Sequence, residues 1–201
     1  IRLAQYTRDV LRRPQEAASR LERLLADLSL PLPGVALARL ELGRCHFAAG
    51  DTARARQVLT RLARGADDRA AAGSAHFLLA KLDLAEGHWE TARDRFASVA
   101  LDNPMADYAN DALELGLVVA QELENPVGGP AQLARYARGV YFALTAQPDS
   151  QAAALAQLLA DDDAAAADGD RPQHLREEAR FELAQLLLRQ GRPAEALAQC
   201  A

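Results

Sequence analysis

Lysine is almost missing from this chain. Of 23 basic residues among 201, Lys81 alone is not an arginine, a bias that points to coding composition rather than to a binding device. Basic and acidic residues are interleaved and the net charge is −5, so there is no basic face to attract a phosphate backbone and nucleic acid is excluded as a partner. Aromatic residues make up 5%, and clusters of Val, Ile and Thr are scarce, which argues against a sheet. No apolar run approaches the roughly 18 residues of a membrane span. No charged, apolar and small-residue leader opens the chain. The sequence starts at Ile1 and stops at Ala201 inside a helical pattern, so it reads as a piece of a longer protein. The two cysteines, Cys45 and Cys200, fall in distant segments and read as small buried apolar side chains rather than a disulfide.

What is present is helix-forming. Half the residues are apolar and Ala dominates them, which predicts slim helices set close together in an all-α fold. The pattern is also written more than once. Moving residues 36–67 forward by 37 places Ala38 on Ala75, Leu42 on Leu79, Gly43 on Ala80, Gly50 on Gly87, Ala55 on Ala92 and Leu59 on Phe96. A further copy follows the second by 104 residues and carries Ala179, Phe181, Leu183, Ala184, Gly191 and Ala196.

Each copy predicts a helix, a tight turn at Gly and a second helix. The hairpins expected are 36–67, 73–104 and, in part, 176–201, with a partial one over 1–29 and a degenerate one over 131–161. Pro31, Pro33 and Gly34 are expected to separate the second and third helices, and Pro148, Asp149 and Ser150 to form a turn. A long helix over 107–123, apolar on several sides, is expected to be well buried. It either pairs with the helix over 131–146 or stands as an insertion between hairpins. Asp161 to Pro172, acidic and rich in small residues, is expected to be a mobile connection.

Leu42-Gly43, Ala55 and Leu59, then Leu79-Ala80, Ala92, Phe96 and Pro104, then Leu183-Ala184 and Ala196, resemble the tetratricopeptide repeat. The chain departs from that pattern at its Trp sites, which are Arg39, His76 and Arg180, and at its Tyr sites, which are His46, Asp83 and Leu187. The slightly long spacing is similar to the divergent bacterial form. The segment DNPMADYANDAL resembles linking helices of bacterial cell-envelope repeat proteins. The resemblance implies a right-handed superhelix, or α-solenoid, of antiparallel helical hairpins, a non-catalytic protein-binding role without a cofactor, and a bacterial envelope location.

No catalytic motif stands out. His46, His76, His88 and His174 are scattered and none has a second ligand at metal spacing. Ser74 and His76 are too close along a helix to face each other. Asp67-Asp68 and Glu177-Glu178 read as charges at helix starts. In the resembled family the first helix of each hairpin lines a concave surface, so the candidate partner-binding residues are Leu40, Arg44, Phe47, Phe77, Lys81, Leu84, Phe181, Gln185 and, at the end of the stripe, Leu188. Such a stripe suits a peptide whose apolar anchors enter the groove while Arg44 and Lys81 meet a carboxylate. The alternative is that Leu40, Phe47, Phe77 and Leu84 pack between hairpins. The reading is a scaffold for a protein or peptide partner, or else a module that stacks through its ends into a homo-oligomer or larger complex.

Overall fold

In the computed structural model, the described residues are all but 28–30, 66–67, 127, 166–173 and 200–201, and the backbone alone is described over 161–165. Among them are eleven helices and no strand: α1 (Arg2–Asp9), α2 (Pro14–Leu25), α3 (Leu32–Ala48), α4 (Thr52–Ala63), α5 (Arg69–Ala85), α6 (Trp89–Asp102), α7 (Ala109–Glu124), α8 (Gly129–Leu144), α9 (Pro148–Ala165), α10 (His174–Arg189) and α11 (Pro193–Ala198). Cys200, Asp67 and residues 166–172 lie outside the described residues, so the disulfide, part of the acidic pair and most of the expected connection do too.

Local chemistry sets the helix ends. Asp51 and Asp68 cap α4 and α5, each side chain accepting a hydrogen bond at 3.0 Å, from the amides of Arg54 and Ala71. Prolines sit in the first turn of α2 and α11, where a missing N–H costs little. Gly50, Gly87 and Gly191 hold φ of 78°, 83° and 73° just past α3, α5 and α10. At each one the next amide reaches back to close the helix end, as when Asp51 N–H donates to the His46 carbonyl at 2.9 Å.

Pro33 and Gly34 do not form a linker; they lie in the first turn of α3, where proline's fixed φ suits the helix. Pro148 and Asp149 likewise begin α9 rather than a turn, and the chain reverses over 145–147. The helical backbone of α9 also runs on through 161–165, where a loop was expected.

Alanines make close packing possible. Ala17, Ala38, Ala55, Ala75, Ala80, Ala92, Ala112 and Ala179 have no exposed surface. At Gly43 the approach is closer still: a Cβ there would stand 2.7 Å from Leu59, so any larger residue has to displace that side chain. Gly139 and Leu155 repeat this contact between α8 and α9, at 3.0 Å.

Consecutive helices pack side by side from α1 to α6, as antiparallel hairpins stacked on their neighbours. Buried carboxylates bind hairpin to hairpin. Glu41 of α3 accepts from Arg8 of α1 at 2.6 Å and from Arg44 at 2.7 Å, and Asp83 of α5 accepts from Arg56 of α4 at 2.7 Å and from Arg95 of α6 at 2.9 Å. Two charge partners each offset the cost of removing a carboxylate from water.

The order changes after α6. Helix α7 packs mainly along α6, and α8 pairs with α9 while also lying against α5 and α7 and reaching α3. Leu133, Tyr136 and Val140 of α8 share one apolar cluster with Leu84, Phe96, Val119 and Leu183. Contrary to expectation, α7 is not buried all round. Leu115, Val118 and Val119 are in the core, but Leu113 and Leu117 are about half exposed.

Candidate functional site

The first helices of the hairpins do carry the apolar stripe seen in the sequence, but most of it is covered. Leu40, Phe47 and Leu84 are buried in the core and do not line an open groove. The cover is α8: Leu144 packs against the cluster holding Leu40 and Phe47, and Leu133, Tyr136 and Val140 belong to the cluster of Leu84. Burial of each such side chain stabilises the fold by about 1.5–3 kcal/mol, so these residues answer first to packing.

Part of the stripe stays open. Phe77 is half-buried, its ring stacked on Tyr108 with centroids 5.6 Å apart and set edge-on to Phe96 at 6.0 Å. The Lys81 ammonium lies 5.6 Å from the Phe77 ring centre, in cation–π range. Arg44 is exposed while one guanidinium nitrogen holds Glu41. Between Arg44 and the segment joining α6 to α7 lies a cleft of about 640 Å³, walled by Phe77, Leu78, Met105 and Tyr108 and flanked by Asp107 and Asp111.

Met105 and Tyr108 were not singled out from the sequence as site residues. The available signal was Met105 itself, an isolated large apolar residue beside a helix-breaking Pro104, and it is 92% exposed. Tyr108 is placed by the close approach of its segment to α5: a Cβ on Gly73 would overlap the Tyr108 hydroxyl.

Phe181 and Gln185 are exposed on α10 and do not join this cleft. Phe181 lines a separate one, of about 380 Å³, with Glu114, Leu117 and Gln121 of α7 and His174, Glu177 and Glu178 of α10. Leu188, at the end of the predicted stripe, is also exposed. Glu177 lies in the first turn of α10, as expected of a helix-start charge, but Glu178 turns inward. Burial, with the charges of Glu182 and Glu114, pushes its carboxyl up to about 7.

A third cleft, of about 840 Å³ between α5 and α6, is lined by Arg69, His76, Asp94, Arg95, Ser98 and Asp102. Burial and the Arg95 charge hold His76 below its usual range, so it is neutral at pH 7. Ser74 lines the Arg44 cleft instead, so Ser74 and His76 face different clefts. No group of three or more His, Cys, Asp or Glu among the described residues is placed to hold a metal ion. No described helix is long and apolar enough to cross a membrane.

The tetratricopeptide-repeat family model matches residues 11–76, a span running from just before α2 into α5. No curated protein and no solved structure matches the chain. The match covers the hairpin whose Leu42-Gly43, Ala55 and Leu59 make the close α3–α4 contact, and the stacking of hairpins on either side of it is the packing such repeats require. Residues 11–76 therefore carry a tetratricopeptide repeat, set within an all-helical stack of the kind such repeats build.

Proposed function

We propose that this protein is a non-catalytic scaffold that binds a protein or peptide segment in the cleft between Arg44, Phe77 and Met105. Tetratricopeptide repeats generally mediate protein–protein interactions. The observation that carries the finer reading is the open end of the first-helix face: where α8 stops covering it, Phe77, Leu78, Met105 and Tyr108 form an apolar cleft with Arg44 exposed at its rim. A segment with an apolar anchor and a nearby carboxylate is complementary to that arrangement, the guanidinium giving a charge-assisted hydrogen bond. Lys81, over the Phe77 ring, adds positive charge on the same helix. An envelope location, implied by the likeness of residues 102–113 to linking segments of envelope repeat proteins, belongs to the same reading.

Affinity capture with the protein as bait tests this, run beside an Arg44→Glu, Lys81→Glu double variant of unchanged circular dichroism. Loss of a captured partner in the variant is the expected result; capture of the same set by both baits removes the cleft from the proposal.

A second reading is self-association, favoured by α1 and the residue that ends it, where Leu3, Tyr6 and Val10 form an exposed apolar stripe at helical spacing. Light scattering decides it: a monomer at high concentration ends this reading, and a mass that falls in a Tyr6→Glu variant supports it.

A further inference from the structure

The cleft between α7 and α10 lies outside the family match and differs in character from the Arg44 cleft. Two kinds of surface share it. Leu117 and Phe181 are apolar yet 53% and 58% exposed, one on each helix. Between them Glu114, Glu177 and Glu178 supply carboxylates. Gln121 adds an amide oxygen that is buried and has no hydrogen-bond donor among the described residues.

The charges around Glu178 are out of balance. Glu182 on its own helix and Glu114 and Asp111 on α7 all press on it, with Lys81 of α5 acting against them. From α8, the Tyr136 hydroxyl donates to one Glu182 oxygen at 3.0 Å, and the other Glu182 oxygen is buried without a hydrogen bond among the described residues. A group bringing positive charge and several N–H donors relieves the like-charge crowding and satisfies an orphaned acceptor in one step. Arginine does both, and its planar guanidinium also stacks on an aromatic ring such as Phe181.

We propose that the α7–α10 cleft is a docking surface for a protein segment presenting an arginine flanked by apolar side chains. The guanidinium sits among Glu114, Glu177 and Glu178, and the flanking side chains rest on Leu117 and Phe181. The electrostatics are complementary, and the exposed apolar walls supply the area that an exposed ion pair alone lacks.

The probe is a fluorescently labelled, end-blocked Leu-Leu-Arg-Leu-Leu peptide, compared with versions in which citrulline or glutamate replaces arginine. Binding to the whole chain is read by fluorescence anisotropy at pH 6 and pH 8. The arginine peptide is expected to bind about tenfold or more tightly than the citrulline one, the difference made by a charge-assisted contact. Its affinity rises from pH 6 to pH 8 as Glu178 ionises. A Glu114→Gln, Glu178→Gln double variant lowers it to the citrulline level and abolishes the pH dependence. These near-isosteric changes remove repulsion, and a thermal melt confirms that the fold survives. Phe181→Ala, at an exposed position, weakens the arginine peptide several-fold without touching the charges. Arg44→Glu leaves its affinity unchanged, which keeps this test separate from that of the Arg44 cleft. Equal binding of arginine and citrulline peptides, unchanged affinity in the double variant, or no binding of the arginine peptide at all overturns the proposal.

Discussion

Glu178 illustrates how one misplaced charge shapes the pH response of a helical repeat. Its carboxyl is raised to about 7, first by burial and then by Glu182 and Glu114. An acid whose folded pKa is raised gives stability that is complete below the ordinary value of 4.5 and is lost as pH climbs through about 7. Glu178→Gln, which cannot ionise, is therefore expected to be more stable than the parent by about 1 kcal/mol at pH 8, with screening at this half-buried site taken into account. The gain shrinks toward zero near pH 4.5. Urea unfolding at pH 5 and pH 8 measures it, and equal gains at the two pH values exclude the electrostatic explanation. Cys45 is a quieter case. It is wholly buried and burial pushes its thiol up to about 11, which fits the reading of a small apolar side chain. Asp83 fills a site where the family pattern has Tyr, and two arginines from neighbouring helices balance its buried charge. Nothing in the local sequence announces that pairing, because Arg56 and Arg95 look like any other surface arginines until the fold brings them together.

Among the elements, the hairpins with glycine turns were the legible ones. Gly50, Gly87 and Gly191 mark left-handed positions that a sequence reader recognises at once. The α8–α9 hairpin uses the same turn without the marker. Ala146 takes φ of 54°, and Gln147 N–H reaches back to the Phe142 carbonyl at 2.9 Å, just as Asp51 does to His46. An alanine in that conformation is strained, so Ala146→Gly is expected to stabilise the protein by about 0.5–1 kcal/mol even though glycine loosens the unfolded chain. Denaturant midpoints of the two proteins measure it, and a destabilised variant shows that the turn is not strained. The repeat hidden here is also betrayed by packing: Gly139 meets Leu155 as Gly43 meets Leu59. That likeness is a contact between helices, and a glycine inside a helix does not reveal which side chain it admits. Helix boundaries were blurred for a related reason. Pro33 and Pro148 read equally well as turn residues or as first-turn residues, and only the backbone on either side decides.

For the molecule as a whole, the local pattern conveyed the stacking of neighbours but not the contact between distant parts. Leu40, Phe47 and Leu84 have the spacing of a surface stripe, and their burial depends on α8, whose approach is encoded nowhere near them. The core is also uneven. The cluster joining α1, α2 and α3 rests largely on alanines, with Leu21 and Leu42 its main large members, whereas the cluster running from α5 to α11 includes Phe96, Leu133, Tyr136 and Leu155. Amide hydrogen exchange is expected to be faster in α1 and α2 than in α5, α6 and α8, because local opening at the thin end exposes less apolar surface. Uniform protection along the chain contradicts this. A simple row of hairpins behaves as a spring, each unit able to yield against the next when its ends are pulled. Helix α8 acts as a strut across that spring, bearing on α3, α5 and α7 together. Tension on the chain then has to lift α8 from several helices before the hairpins beneath it part.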